Sequence, residues 1–215
     1  MANDDEASAL REALVGVVAR EVHDPRVLDA MRVVPRHRFV PEHPLSDAYA
    51  DHPLPIGYGA TISQPTVVGL MSEALALCGD ERILEIGTGS GYQSAVLSRL
   101  AGEVDTVEVI PALAERARSA LADLGCGNVH VHVGDGWSGL PSRAPFDRIV
   151  VTAAPEHLPE ALAAQLAEGG LLVVPVGPQT RDQRLERHQR RGGRLVREDL
   201  GAVRFVPMVR SESRS

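Results

Sequence analysis

The sequence predicts an α/β protein: a doubly wound, mostly parallel sheet with an N-terminal helical cap and a C-terminal antiparallel hairpin and strand. Three observations carry that prediction. From residue 81 onward, short aliphatic runs alternate with stretches of helical period, the βαβα order that folds into a parallel sheet. The first run, Arg82 to Ile86, carries an acid near its end and opens into Gly87-Thr88-Gly89-Ser90-Gly91. Such a strand–turn–helix unit lets the backbone and a helix N-terminus approach a nucleotide-like ligand. After Gly177 the alternation stops, and residues 183–191 and 194–200 flank Gly192-Gly193, a two-residue hairpin turn.

The elements follow in chain order. Leu10, Leu14, Val17 and Val18 have helical spacing within residues 5–22. Asp24-Pro25 then supplies an N-cap and a proline for a second helix, which runs to about Val33 and stops before Pro35. Residues 35–65 are rich in Pro, His and Gly yet carry bulky apolar side chains, so the reading is an ordered loop over an active site. A helix from Pro65 to about Leu77 follows. Strands are expected at Arg82–Ile86, Glu103–Val109, Asn128–Val133, Asp147–Thr152 and Leu171–Pro175, with helices at Tyr92–Leu100, Pro111–Leu124 and Pro159–Leu166. Val203–Val209 reads as a last strand, and Ser211–Ser215 as a disordered end. The whole is expected to be one domain: N-terminal helices and active-site loop to residue 80, a ligand-binding core over 81–178, and C-terminal strands over 179–210.

Composition excludes several classes. The 215 residues are 44% hydrophobic with few aromatics, so aliphatic side chains and Ala must fill the core. A net charge of −7 argues against a general nucleic-acid binder, which needs a basic face. No run reaches the ~18 apolar residues of a membrane span, and the acidic start, Asn3-Asp4-Asp5-Glu6, lacks the pattern of a signal peptide. A cytoplasmic monomer is expected. Cys78 and Cys126 stand alone, which points to neither a disulfide nor a metal site.

The spacing of the glycines narrows the ligand. Dinucleotide oxidoreductases use G-x-G-x-x-G, whereas here Gly87, Gly89 and Gly91 alternate and Tyr92 follows. Glu85, two residues before the first glycine, disfavours a pyrophosphate and suits a ligand carrying an ammonium group. S-adenosylmethionine carries an ammonium and a sulfonium, and E-x-G-x-G-x-G is a methyltransferase pattern. Glu108, near the end of the second strand, is placed to accept hydrogen bonds from ribose hydroxyls, although enzymes using NAD share that feature. Asp135, in Gly134-Asp135-Gly136 after the third strand, is placed to accept from an adenine amino group. Three acids at the carboxyl ends of three consecutive strands lie where open α/β sheets bind ligands.

A set of longer stretches carries a resemblance. They are Val34-Pro35-Arg36-His37-Arg38-Phe39-Val40, Leu54-Pro55-Ile56-Gly57, Thr61-Ile62-Ser63-Gln64-Pro65, Leu84 to Tyr92, Gly134-Asp135-Gly136-Trp137, Val151-Thr152-Ala153-Ala154-Pro155 and Val203-Arg204-Phe205-Val206-Pro207. Together they resemble the protein-L-isoaspartate (D-aspartate) O-methyltransferase family, in order from about residue 10 to 210. The glycine motif is generic to methyltransferases; the Thr-Ile-Ser-Gln-Pro stretch and the Val-Arg-Phe-Val-Pro ending are specific to the family. The resemblance implies S-adenosylmethionine as methyl donor, S-adenosylhomocysteine as product, no metal, and isoaspartyl proteins and peptides as substrates. It implies a cofactor site of Ala60, Thr61, Ile62, Ser63, Glu85, Gly87, Gly89, Gly91, Glu108, Val109, Asp135 and Gly136. It implies Ser63 as the hydroxyl that orients the accepting carboxylate, and Ile56, Ser63, Val203, Phe205 and Val206 beside the substrate. Thr66 stands where some members have His, so no contact carries over to that position. Two other readings stay open: methylation of a normal aspartate in a dedicated biosynthetic peptide, and a nicotinamide-dependent oxidoreductase.

Other polar clusters take ordinary readings. His130 and His132 alternate with Val on one strand and lack a third ligand, so they read as exposed edge-strand residues. Arg184, Arg187, Arg190, Arg191 and Arg194 read as a solvated hairpin whose charge deters strand pairing. His37, His43 and His52 match no zinc spacing. Trp137 is either a flank of the adenine pocket or a packing residue.

Overall fold

The protein is described here from a computed structural model covering residues 2–210, so the expectation for Ser211–Ser215 lies outside the described residues. Two helices open the chain, α1 (Ala2–Val18) and α2 (Pro25–Val33). Asp24 caps α2 as its sequence suggests: its carboxylate accepts from Arg26 N at 2.9 Å, and Pro25 occupies the first turn. A cap of this kind is worth about 1 kcal/mol. The Glu73 carboxylate accepts from the backbone N–H groups of His23 and Asp24 at 2.6 and 2.5 Å and so docks the turn between α1 and α2 onto a later helix.

The stretch expected to be one ordered loop has more structure than that. It contains a 3-10 turn (Arg36–Phe39), the short helix α3 (Leu45–Ala48) and an antiparallel pair, β1 (Leu54–Gly57) and β2 (Ala60–Ile62). The turn between them takes three consecutive positive φ values at Gly57, Tyr58 and Gly59. Helix α4 (Pro65–Ala74) leads into the main sheet.

That sheet has seven strands: β3 (Arg82–Ile86), β4 (Glu103–Glu108), β5 (Val129–Val133), β6 (Phe146–Val151), β7 (Leu166–Val176), β8 (Gln183–Arg191) and β9 (Arg194–Val203). Their spatial order is β5-β4-β3-β6-β7-β8-β9, parallel from β5 through β7 and antiparallel from β7 through β9. Helices α5 (Tyr92–Leu97), α6 (Pro111–Asp123) and α7 (Glu160–Ala164) connect the parallel strands. Strand β3 is where the order reverses, since β4 lies on one side of it and β6 on the other. The crevice at the carboxyl ends of these strands is the ligand position of an open α/β sheet.

Alternation along the strands builds two cores. Ile83, Val150 and Val173 join the larger one, under α1, α2, α4, α5 and α6. Leu84, Ile86, Ile149, Val151, Leu172 and Val174 face the other side with Leu162 of α7. The period-2 rule therefore puts Glu85 on the same face as Ile83.

Two strand expectations need correction. Strand β7 starts at Leu166, before the Gly169-Gly170 pair rather than after it, because a bulge opposite Phe146–Arg148 absorbs the extra residues. Val203–Val209 is not a strand: β9 ends at Val203, and beyond it only a single parallel bridge joins Pro207 to Ala154. Pro207 cannot donate to a ladder, which is a reason for pairing to stop there. No described helix is long and apolar enough to cross a membrane.

Candidate active site

The glycine turn is shaped by what each missing side chain makes room for. Gly87 has φ 96°, and a Cβ there would lie 2.5 Å from Thr152 Oγ1. That hydroxyl donates to the Ile86 and Gly87 carbonyls at 3.0 and 2.6 Å, tying the turn to the end of β6. Gly91 has φ 91°, and a Cβ there would lie 3.2 Å from Ala117 Cβ on α6. Gly136 sits so close to Ile86 that a Cβ would fall 2.5 Å from its Cγ2. The turn is thus packed tightly from behind and open in front.

In front of it lies a cavity of about 940 Å³, its mouth included. Ala60, Thr61, Ile62 and Ser63 form one wall; Gly87, Gly89, Glu108, Val109 and Gly136 form the floor and far side. Nine of the positions expected at the cofactor are therefore brought together from four separate parts of the chain. Glu108 is 5% exposed, and its two oxygens accept from Gly89 N at 2.8 Å and Ile110 N at 3.0 Å. Each carboxylate oxygen has a second lone pair, which leaves capacity for ribose hydroxyls.

Three expected cofactor residues do not line the cavity. Glu85 is fully buried on the α5 side of β3, where the Ser94 hydroxyl donates to its Oε2. Its Oε1 has no hydrogen-bond partner among the described residues, while the Thr106 hydroxyl lies 2.7 Å from that of Thr88. Burial pushes its carboxyl up to about 7, with the Ser94 and Thr106 hydroxyls opposing and the charge of Glu108 adding. Gly91 packs on α6, and Asp135 caps its own turn by accepting from Trp137 N at 3.0 Å. Glu85 thus lies beneath the turn, between β3 and α5.

A second, open groove adjoins the first. Val203, Phe205 and Val206 line it with Gln64, and it shares Thr61, Ser63, Thr152 and Val206 with the cavity. Ser63 is half-buried at that junction, and no other described residue engages its hydroxyl. Of the residues expected beside the substrate, only Ile56 is elsewhere. It is 2% exposed, packed behind Gly89, and its carbonyl accepts from Arg116.

Sequence reasoning missed Thr152, Ala153, Pro207 and Met208, which line the cavity. The strand-end rule points to the first two, directly after β6. The last two are held there by bonds no motif announces: Ala154 N donates to Val206 O at 2.8 Å, Met208 N to Ala154 O at 3.0 Å, and Trp137 Nε1 to Met208 O at 3.3 Å. Trp137 is thus a packing residue that anchors the C-terminal segment, with the Arg210 guanidinium 4.6 Å above its ring.

The other polar clusters are engaged locally. His130 meets Glu103 at 3.1 Å and His132 meets Asp105 at 2.7 Å, both on the neighbouring β4. Arg184 and Arg187 pair across the hairpin with Asp199 and Glu198. No group of three metal-ligating side chains occurs among the described residues.

A parallel sheet with this strand order, a glycine turn after its central strand and an acid after the next define a class I S-adenosylmethionine-dependent methyltransferase. Residues 10–213 match the family model described as protein-L-isoaspartate(D-aspartate) O-methyltransferase (PCMT), and the chain belongs to that family. It is 57% identical over 190 residues to a protein-L-isoaspartate O-methyltransferase of Anaeromyxobacter dehalogenans (strain 2CP-C), covering 87% of this chain and 91% of that one. It is 55% identical over 215 residues to protein-L-isoaspartate O-methyltransferase 1 of Rhodopseudomonas palustris (strain HaA2), covering 98% and 88%. A solved structure of a protein-L-isoaspartate O-methyltransferase superposes with a TM-score of 0.84 at 33% identity, over 92% of this chain and 65% of that one. A putative protein-L-isoaspartate O-methyltransferase from Plasmodium falciparum, solved in complex with S-adenosyl-L-homocysteine, shares the fold with a TM-score of 0.82 at 24% identity.

Proposed function

We infer that the chain is an S-adenosylmethionine-dependent methyltransferase acting on the free α-carboxylate of L-isoaspartyl residues in proteins and peptides. The observation that carries this reading is the junction at Ser63, where a cavity lined by the glycine turn meets a second groove. The cavity suits the cofactor: Gly87 and Gly89 line it with bare backbone, and Glu108 offers carboxylate acceptors. When bound, S-adenosylmethionine supplies an electrophilic methyl on sulfonium. Ala60 to Ser63 would cover the cofactor, Glu108 would hold its ribose, and Val109 and Gly136 would flank its base.

The chemistry asks little more of the chain. A carboxylate is ionised at pH 7 and is a nucleophile without a general base. The residues at the junction must hold one carboxylate oxygen in line with the methyl and keep water out. The uncommitted Ser63 hydroxyl donates to the acceptor carboxylate and fixes its rotation. Val203, Phe205 and Val206 line the side from which a peptide enters; the main chain there would hold an extended substrate with little sequence preference. After release, the backbone nitrogen that follows the isoaspartyl residue attacks the ester carbonyl, methanol leaves, and a succinimide forms. Water opens that ring partly to normal aspartate, so methylation starts a repair.

The N-terminal helices, core and C-terminal strands act as one domain, in the cytoplasm and as a monomer. The outer edge strand β9 bears Arg194, Arg197, Glu198 and Asp199, charges that discourage edge pairing. Light scattering at micromolar concentration tests the last point. The function is tested by transfer of labelled methyl to an isoaspartyl peptide, with the same peptide containing normal aspartate as control. Label on the first alone is the expected result; label on neither, or binding of NADH in place of S-adenosylhomocysteine, overturns the reading.

A further inference from the structure

We propose that Asp51 is a positioning residue for methyl transfer, fixing the short link that carries Ser63 so that its hydroxyl faces the acceptor. This rests on the reading above that Ser63 orients the substrate carboxylate. Ser63 and Gln64 form the two-residue link between β2 and α4. On its N-terminal side the link is held by the β1–β2 ladder, where Ile62 pairs with Leu54. On its C-terminal side Asp51 supplies the side-chain anchor. Its Oδ1 accepts from Thr66 N at 2.8 Å, and its Oδ2 accepts from Thr66 Oγ1 at 2.8 Å and Gln64 Nε2 at 2.9 Å.

The arrangement is an N-cap provided from elsewhere in the chain. Gln64 occupies the cap position of α4 but makes no capping bond of its own. Asp51 takes over, satisfying a free N–H of the first turn with a carboxylate that also suits the positive end of the helix. Three bonds to the residues on either side of Pro65 leave the preceding Ser63 little freedom. Thr66, to which the family resemblance gave no contact, has a role here: it provides two of the three donors.

Asp51 is itself fixed by a buried cation. Arg36 is fully buried; its Nε donates to Ala48 O at 2.9 Å and its Nη2 to His52 O at 3.4 Å, bracketing Asp51 in the chain. The same guanidinium lies 4.9 Å above the ring of Tyr92, which lines the cofactor cavity. One connected scaffold therefore runs from the cofactor side of the site, through Arg36 and the 48–52 segment, to the Ser63 link.

The test is a double-mutant cycle on the full chain, with S-adenosylmethionine and an isoaspartyl peptide as substrates. Asp51→Ala is expected to lower kcat/KM for the peptide by about ten- to a hundredfold, the scale of a small misplacement of a reacting group. Its affinity for S-adenosylhomocysteine by calorimetry should stay within about twofold of wild type. In a Ser63→Ala background the same substitution should cost about twofold or less, because the group it positions is gone. A residue that only stabilises the fold would multiply the Ser63→Ala defect, and that result, or an Asp51→Ala enzyme as active as wild type, overturns the proposal. If Asp51→Ala does not fold, Thr66→Val and Gln64→Leu each remove one bond. Each should lower kcat/KM several-fold with the same non-additivity toward Ser63→Ala, and full multiplication of the defects overturns the proposal. Wild-type activity separates the two readings. An inactive wild type fails the function itself, whereas an active wild type with an indifferent Asp51 fails this inference alone.

Discussion

Glu85 is the residue where position and chemistry part company most. Its acid lies two residues before the glycines, which reads as a ligand contact, yet the period of β3 turns it away from the cavity and under α5. Burial there pushes its carboxyl from 4.5 up to about 7, so the folded state holds a proton that the unfolded state has released. Below pH 4.5 both states are protonated and Glu85 adds no pH dependence. Between 4.5 and about 7 stability falls as pH rises, by up to about 3 kcal/mol in total, and above 7 the effect is constant. Glu85→Gln should remove this fall. Denaturant midpoints at pH 5 and pH 7.5 should lie closer together in the variant than in wild type, and equal pH slopes for the two would show that Glu85 does not hold that proton. Glu108 was legible from its place at the end of β4, and Ser63 only through the family resemblance. Asp51 and Ile56 were not, since partners 13 and 15 residues from Asp51, and the burial of Ile56 behind Gly89, follow only from the packing of β1 and β2 on the glycine turn.

Among the elements, the glycine turn and the C-terminal segment show what a pattern does and does not convey. The third glycine belongs to the motif, but its duty is to let α5 start beside α6. Gly91→Ala would combine a positive φ with a contact 3.2 Å from Ala117 Cβ. A loss of about 1–3 kcal/mol in urea unfolding is expected; a neutral result would mean that α6 gives way freely. Strands β3 to β6 were readable to within a residue at each end because turn residues close each β-branched or aliphatic stretch, whereas the bulge in β7 was not. The segment after Val203 reads equally well as a strand from its Val and Phe content. It is not one, because Phe205 N, Val206 O, Met208 N and Met208 O are engaged by Gln183, Ala154 and Trp137 in place of a ladder, which leaves Phe205 O and Val206 N for a substrate. Its position makes it a wall of the cofactor cavity through Val206 to Val209. Truncation after Phe205 should therefore weaken S-adenosylhomocysteine binding by tenfold or more while the far-ultraviolet circular dichroism stays that of wild type. Unchanged affinity would exclude the segment from the cofactor site.

At the scale of the molecule, the cavity is the place where the N-terminal hairpin, the glycine core and the C-terminal segment meet, and none of the three closes it alone. A ligand bound there contacts all of them, so it binds the fully folded state and not a partly opened one. Mass action then gives a stabilisation of RT ln(1 + [L]/Kd), about 2.7 kcal/mol at a hundred times Kd. S-adenosylhomocysteine should raise the unfolding midpoint in proportion to the logarithm of its concentration, through a single transition that keeps all three parts together. Ser63→Ala should show the same rise, since that hydroxyl is assigned to the acceptor and not to the donor. Asp51→Ala should show it too, starting from a lower midpoint because three hydrogen bonds are lost. A rise confined to one of two separable transitions, or abolished by Ser63→Ala, would mean that the cofactor is held by the core alone or by the loop's hydroxyl. In either case the division of labour between a donor cavity and an acceptor groove would fail.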